Sequence, residues 1–424
     1  MKKTMAILAL TAALFVSATT ASAEGITGKV PTNKEINTYL TKHPLAQSEA
    51  QKYITKTSSK TVGRTDNTAA LNSLNFVRLL TGLPQVKENK NFSNIAQSAA
   101  YLMNKNKMLA HQISVPTGMS STSQTYRKGA LGGLSSNIGA GYSNIQQSVL
   151  YGYMDDGGGN MASVGHRKWL LNPTLRSTGF GKVGAYTANY VFDNKASVNQ
   201  QLSGLYTWSK ADLNEAGGWG LAEKNYANAK IAWPSQSMPT QLMKTSTPFS
   251  LSLGKNFTIT NNVKITMKNA KKTVTINSSK LKTGQHYSVS SSGYGYMNAI
   301  VWKPNASDFS YKSGETYKIK ITGLKKNNKA TTINYNVKFF NLATALPKPT
   351  LPKKITLKKG KSYTFSTLKR FDYTGSSNVS LKVSNAKTKR VNNYTFKAVS
   401  KGTSYVTVTN KAKNQTQKIK VTIK

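Results

Sequence analysis

Cysteine is absent from this chain of 424 residues. The absence excludes disulfides, thiol catalysis, cysteine–zinc sites and lipidation of an N-terminal cysteine. A chain of this length can bury enough apolar surface to fold without disulfide bonds. In an exported protein, a lack of cysteine fits a Gram-positive bacterium better than a eukaryote.

Acidic residues are scarce: 14 Asp and Glu stand against 59 Lys and Arg, so the formal net charge is +45. From Ala227 onward there are 36 Lys or Arg and three acids, Asp308, Glu315 and Asp372. The electrostatic field of such an excess of positive charge attracts polyanions. No nucleic-acid fold signature accompanies it, so we expect anionic cell-wall polymers or other anionic surfaces as partners, and no nucleic acid. The alternative is that the lysines lie on solvent-exposed strand faces and only aid solubility.

Long apolar runs are also missing, and we expect no transmembrane segment. The short run from Met5 to Val16 follows Lys2 and Lys3, and a small-residue cleavage site, Ala21-Ser22-Ala23, follows it. This pattern predicts a signal peptide over residues 1–23. We therefore expect a secreted, extracellular protein that is associated with the cell wall. An uncleaved membrane anchor is the alternative.

The first half of the chain has a helical pattern. Residues 24–65 are a polar leader, with short helices possible over 33–40 and 46–54. From residue 66 to about 194, helices are predicted to start at the capping residues Asp66, Ser93, Asn144 and Ser163. The first is expected to stop at Gly82-Leu83-Pro84 and the last at Asn172-Pro173, while 187–192 is expected to be extended.

The apolar period changes from 3.6 to 2 at about Trp233, which predicts strands. Examples are Val263-Ile265-Met267, Tyr317-Ile319-Ile321, which Gly323 is expected to close, and Ile419-Val421-Ile423. Three prolines make 346–353 a predicted linker. Strands at this spacing predict a β-sandwich module over 230–345 and a second over 354–424.

Two of the four histidines, His43 and His286, have no supporting motif. His111 follows the second predicted helix in Leu109-Ala110-His111. His166 lies in the segment Val164-Gly165-His166-Arg167-Lys168-Trp169, which runs on to Asn172-Pro173. Both lie at helix boundaries, where side chains often line a cleft.

The Leu-Ala-His stretch, the Asn137-Ile138-Gly139 strand and the His166 segment, which continues to Gly179-Phe180-Gly181, occur in an order that resembles the CAP superfamily. That superfamily includes cysteine-rich secretory proteins, wasp-venom antigens and plant pathogenesis-related proteins. The resemblance covers residues 66–194 and implies an α-β-α sandwich with an open cleft, here assigned to a domain over 66–229. The predicted fold class is α+β, with the CAP sandwich followed by two all-β sandwich domains.

In CAP proteins two histidines and two acidic residues face the cleft. The resemblance carries the histidines to His111 and His166. It places Ser136 where the first acid stands in the family, and the second acid falls on Asp155 or Asp156. Two imidazoles with a carboxylate can hold a divalent ion such as zinc, whereas a hydrogen-bonded, inert pair of histidines needs no metal. Ser136 could act as a nucleophile only with a histidine in reach.

The last β block, from Tyr394 to Thr409, resembles a bacterial immunoglobulin-like repeat, a module found in surface proteins. Three functions remain open. The first is a binding protein whose His-lined cleft takes a lipid or protein ligand while basic β-domains hold it at the envelope. The second is a secreted hydrolase that uses the cleft, and the third is an adhesin-like structural protein.

Overall fold

The computed structural model describes residues 22–45, 67–193, 226–291, 293–371, 373 and 378–424. Most of the expected signal peptide and the possible helix over 46–54 lie outside the described residues, as does the expected capping residue Asp66. Within the described part of the chain, no helix is long and apolar enough to cross a membrane.

Helices dominate the chain up to residue 193. They are α1 (Asn33–Lys42), α2 (Asn67–Leu80), α3 (Lys90–Asn106), α4 (Gln124–Ser135), α5 (Ile145–Gln147) and α6 (Gly165–Leu170). A π-helical turn over Ser148–Tyr153 continues α5, and a 3₁₀ turn spans Gly158–Asn160. The strands of this part are β1 (Ser22–Glu24), β2 (Lys87–Glu88), β3 (Ser136–Ala140), β4 (Ser177–Val183) and β5 (Tyr186–Tyr190).

Strands β2 to β5 form one sheet in the order β2-β4-β5-β3, with helices on both faces. On one face α3 and α4 enclose a core that includes Phe92, Leu102, Ile138 and Tyr190. On the other face α2 and α5 pack around Phe180. A side chain on Gly181 would lie 2.3 Å from the α3 backbone at Gln97, so glycine permits this close approach. The predicted α-β-α sandwich is therefore confirmed.

Two predicted helix starts are wrong. Helix α3 begins before Ser93, because the side chain of Asn89 accepts hydrogen bonds from the amides of Asn91 and Phe92. The residue that precedes α6 is Val164, in the left-handed region at φ 42°, not Ser163. The Asn144 cap is confirmed, since its side chain accepts from the amide of Gln147.

The middle module comprises strands β6 to β14. They are β6 (Lys230–Trp233), β7 (Ser237–Pro239), β8 (Phe249–Leu253), β9 (Phe257–Lys268), β10 (Thr273–Asn277), β11 (His286–Ser290), β12 (Asn298–Lys303), β13 (Thr316–Lys326) and β14 (Lys329–Phe340). One sheet has the order β1-β14-β13-β9-β10, with β7 also paired to β14, and the other has the order β11-β12-β8-β6. Short 3₁₀ turns lie at Thr240–Leu242 and Tyr294–Tyr296.

Strand β13 does not close at Gly323, contrary to the prediction. It continues to Lys326 across a register shift between Ile321 and Leu324. Gly323 sits in this bulge at φ +81°, with the carbonyl of Asn262 2.2 Å from where its Cβ would be. The glycine thus marks a bulge within the strand.

The terminal module comprises strands β15 to β21. They are β15 (Lys354–Leu357), β16 (Ser362–Thr364), β17 (Val379–Val383), β18 (Thr388–Arg390), β19 (Thr395–Ala398), β20 (Gly402–Asn410) and β21 (Gln415–Ile423). Two sheets, β15-β21-β20-β17 and β16-β19-β18, give the expected β-rich C-terminal region. Further 3₁₀ turns span Ser366–Phe371 and Lys411–Lys413.

The proline-containing segment before the terminal module is packed in place. It follows the short helix α7 (Leu342–Ala345), and Leu346 has no exposed surface. The Gln417 side chain donates hydrogen bonds to the carbonyls of Leu351 and Pro352. The three prolines therefore lie in an ordered connection.

Candidate functional site

His111 and His166 line the same two neighbouring cavities. One cavity has a volume of about 250 Å³ and the other about 430 Å³, and both are also lined by Asn160. His111 lies in the loop between α3 and α4, and His166 lies in α6. The structure thus brings the two sequence-predicted histidines to one cleft.

Each imidazole is fixed through its Nδ1 atom. The Nδ1 atom of His111 lies 2.8 Å from the carbonyl oxygen of Gly133. A carbonyl oxygen can only accept, so this Nδ1 carries the hydrogen and donates. The Nδ1 atom of His166 lies 2.8 Å from Oδ1 of Asp156, which also favours the Nδ1–H tautomer. In both rings Nε2 is the nitrogen left as an acceptor for a ligand.

Asp156 is a buried positioning residue for His166. It is 2% exposed, and its second carboxylate oxygen accepts from the backbone amide of Arg167 at 2.9 Å. Its backbone lies in the left-handed region at φ 47°, a conformation that Asp and Asn tolerate better than most residues. Both carboxylate oxygens therefore already have partners.

Asp155 points to different neighbours. Its carboxylate accepts a hydrogen bond from the Thr247 hydroxyl and lies 3.5 Å from Nζ of Lys244, both near β8 of the middle module. It does not line either of the two cavities that the histidines share. Of the two acids left open by the sequence, Asp156 is the one joined to a cleft histidine.

Ser136, at the start of β3, lines the cavity of about 250 Å³ and is 4% exposed. Its hydroxyl makes no hydrogen bond with any described residue. Neither imidazole is thus within hydrogen-bonding reach, and the structure does not assemble the serine–histidine pair that nucleophilic catalysis requires. The hydroxyl oxygen itself is buried.

One wall of the smaller cavity is aromatic. Trp169 and Phe192 lie with ring centroids 4.5 Å apart, and Tyr294 lies 6.4 Å from Trp169. Tyr294 comes from the turn between β11 and β12, so the middle module supplies part of the cleft. Sequence reasoning missed Tyr294, because no local motif marks a contact across such a long sequence separation.

Arg167 follows His166 directly, and its side chain extends into the middle module. Its Nη1 atom donates to the carbonyl of Pro248 at 2.8 Å and to the Ser250 hydroxyl at 3.0 Å. Its Nε and Nη2 atoms donate to the carbonyls of Met154 and Asp155. Burial lowers the pKa of Arg167 to about 10, so the guanidinium remains charged at neutral pH.

Lys168 is buried at the same boundary. Its Nζ atom donates to the carbonyl of Ser290 at 3.2 Å and to the Ser290 hydroxyl at 3.0 Å, and it lies 5.9 Å from the Tyr294 ring centroid. Burial lowers the pKa of Lys168 to about 8. Within this segment His166 and Trp169 line the cleft, while Arg167 and Lys168 contact the middle module.

The residues present do not fit a zinc site. Within the described ranges no three His, Asp or Glu side chains come close enough together to hold a metal ion. A zinc site with an open position uses three protein ligands, and the carboxylate of Asp156 is engaged by His166 and the Arg167 amide. A zinc site at His111 and His166 would therefore lack a third protein ligand among the described residues.

Comparison with known proteins gives a family match over residues 71–196, to the model described as CAP, the cysteine-rich secretory protein family. No curated protein sequence matches the chain significantly.

Several solved structures are similar to parts of the chain. An extracellular protein containing an SCP domain from Bacillus anthracis str. Ames is 20% identical over 31% of this chain and 45% of its own, with a TM-score of 0.21. This chain thus spans under half the length of that protein. Domains 1–6 of the surface layer protein SbsC are 16% identical over 42% of this chain and 24% of their own, with a TM-score of 0.16. Cadherin-like domains 1 to 4 of zebrafish RET are 6% identical over 47% of this chain and 51% of their own, with a TM-score of 0.23.

Proposed function

Because residues 71–196 form a CAP domain, as the sequence resemblance predicted, we propose that this chain is a secreted binding protein whose cleft takes an amphipathic ligand. The basic β modules hold it at an anionic cell envelope. The observation that carries the proposal is the shared cleft of His111 and His166, with both Nδ1 atoms engaged and an aromatic wall beside them.

The chemistry of the cleft is divided between polar and apolar groups. Nε2 of each imidazole can bond a polar head group. Trp169, Phe192 and Tyr294 offer apolar surface to the rest of the ligand. Pockets with an apolar lining and a few convergent polar groups are typical of small-molecule sites. A long-chain fatty acid is the simplest probe with this division.

The test uses the full chain and a fluorescent long-chain fatty acid. Asn160 is exposed and borders both cavities, so Asn160→Trp should block the cleft and lower the affinity at least tenfold. Ser121→Trp adds the same ring at an exposed position outside both cavities and should leave binding unchanged. Equal affinity in both variants would show that the cleft is not the binding site.

A secreted hydrolase is the second candidate, and the Asp156–His166 pair favours it, since a carboxylate-oriented imidazole can act as a general base. The unpartnered Ser136 hydroxyl argues against it. Turnover of ester or peptide substrates that is lost in His166→Ala, and unaffected in His286→Ala, would favour the hydrolase over the binding protein.

Retention at the envelope rests on charge. Residues 348–424 carry 19 Lys or Arg and one acid, Asp372. In β21 Lys418 and Lys420 are exposed while Ile419 and Val421 are buried, so the lysines face outward as strand alternation predicts. Fixed cations bind polyanions largely by releasing counterions, and such binding falls steeply as salt rises.

The retention test incubates the full chain with cell walls before and after teichoic acid is stripped, over a salt series. Electrostatic retention predicts loss on stripping and release by salt. Undiminished binding to stripped walls at high salt would instead indicate recognition of peptidoglycan or a protein. An adhesin-like role would then be favoured.

A further inference from the structure

The outer face of one sheet in the middle module combines lysines with uncharged polar side chains. Five exposed lysines lie on its three adjacent strands β9, β13 and β14; they are Lys264, Lys268, Lys318, Lys320 and Lys338. We call these five residues the lysine face. The buried residues that alternate with them, such as Ile265 and Ile319, point to the core on the other side.

The register places like charges side by side. Lys318 of β13 is directly opposite Lys268 of β9, and Lys320 is two residues from Lys318, roughly 6.7 Å along the strand. Like charges directly opposite one another destabilise a sheet. None of the five lysines forms an ion pair with a described acidic residue, whereas Lys272, on the nearby hairpin, pairs with Asp308. An anion bound on this face would reduce the repulsion between these exposed charges.

Uncharged hydrogen-bonding groups lie between these lysines. Asn336 is directly opposite Lys318, and Asn334 is directly opposite Lys320. Both asparagines are exposed. Thr266, on the other side of Lys320, adds a hydroxyl. Amides and hydroxyls bond the hydroxyl groups of a polyol, while ammonium groups bond phosphates.

Aromatic side chains are absent from the register positions between these lysines, which are occupied by Asn and Thr. Proteins that bind single-stranded nucleic acid stack bases on aromatic rings. Interfacial membrane-binding elements use Trp, Phe or Leu beside the cations. The composition of this face therefore favours a hydroxyl-rich anionic polymer over either of these partners.

We propose that the lysine face is a binding site for an extended polyol phosphate polymer, with the lysines on its phosphates and Asn334 and Asn336 on its hydroxyls. The inference rests on the proposed retention by charge and adds a location and a ligand class. It assigns the binding of the anionic polymer to one ordered face of the middle module. The net charge alone would not favour any one part of the surface.

The first test measures binding of the full chain to poly(glycerol phosphate) across a salt series. The triple variant K268Q/K318Q/K320Q should weaken binding roughly tenfold at low salt and lower the slope of log affinity against log salt by about 2. The matched triple variant K282Q/K312Q/K359Q removes the same charge from exposed positions outside the lysine face. It should lower the slope by less than half as much.

The second test separates hydroxyl recognition from charge. The variant N334A/N336A leaves the net charge unchanged, and both positions are exposed, so the fold should persist. It should weaken binding to poly(glycerol phosphate) several-fold and leave binding to linear polyphosphate unchanged. Equal effects on both polymers, or no effect on either, would overturn the polyol assignment.

The outcomes separate the two proposals. If the wild-type chain binds no anionic polymer at low salt, retention by charge fails. If it binds but the two triple variants behave alike, retention stands and the lysine face is wrong as the site. If the face variant loses binding only to phosphatidylglycerol vesicles, the partner is a membrane and the polyol proposal is overturned.

Discussion

Asp156 accepts a hydrogen bond from His166, with Oδ1 of the carboxylate 2.8 Å from Nδ1 of the imidazole. The Asp156 side chain has no exposed surface, whereas that of His166 is 19% exposed. A buried carboxylate thus sets the tautomer and direction of a ring whose other edge faces the cleft, an arrangement of the kind that orients imidazoles elsewhere.

Replacing Asp156 with Asn is expected to loosen this ring without changing the backbone, since Asn also tolerates the left-handed conformation. We expect nitrogen NMR to show one dominant Nδ1–H tautomer of His166 in the wild type and a mixture in Asp156→Asn. Loss of the charge-assisted bond should also lower the free energy of unfolding by about 1 to 3 kcal/mol. A single unchanged tautomer in the variant would contradict the assigned role.

Zinc titration provides a separate check on the cleft. Because no third ligand accompanies His111 and His166 in the described chain, we expect calorimetric heats to be the same in the wild type and in the His111→Ala/His166→Ala double variant. A one-site isotherm that the double variant abolishes would instead establish a metal site. His43→Ala is the control for nonspecific binding to histidine.

Arg167 is expected to be sensitive even to a conservative change. Lysine cannot reproduce a planar fork that reaches Met154, Asp155, Pro248 and Ser250. We expect Arg167→Lys to lower the free energy of unfolding by about 2 to 4 kcal/mol, because buried carbonyls lose their donors. The exposed Arg127→Lys should change it by less than about 0.5 kcal/mol. Urea unfolding of the full chain measures both, and similar values would refute the account of Arg167.

Lys168 and Lys182 predict how stability changes in alkaline solution. Burial lowers the pKa of each to about 8, from an ordinary value of 10.5. Between these values the unfolded chain binds more protons than the folded chain, so the free energy of unfolding should rise as pH increases from 8 to 10.5. Conversely, this contribution is lost as pH falls from 10.5 to about 8.

The measurement is urea unfolding at several values of pH across that window. Lys168→Met/Lys182→Met should flatten the rise, while Lys105→Met, at an exposed position, should preserve it. If the wild type and the double variant show the same slope, the buried ammonium groups do not carry the pH dependence.

Much of the fold follows from local patterns. The stop of α2 before Gly82-Leu83-Pro84, the Asn144 cap and the alternation in β9, β13 and β21 all depend on residues close in sequence. Helix α4 was not predicted, because Gly129, Gly132 and Gly133 lower its helix propensity. A side chain on Gly132 would lie 2.5 Å from the carbonyl of Ile95 in α3, so tertiary packing explains this glycine.

Part of the site could also be predicted from patterns in the sequence. The family order of the motifs placed His111 and His166 together, and it narrowed the acid to Asp155 or Asp156. Only the structure distinguishes them, since the choice depends on which carboxylate the chain turns toward His166. Arg167, Lys168 and Tyr294 act across the boundary with the middle module, and no pattern within their own segments encodes those partners.

One peptide unit separates the side chain that lines the cleft from the side chain that enters the middle module. His166 and Arg167 also share Asp156, which bonds the ring of one and the backbone amide of the other. The Asp156 carboxylate therefore ties the orientation of the cleft imidazole to the backbone from which the Arg167 side chain enters the middle module.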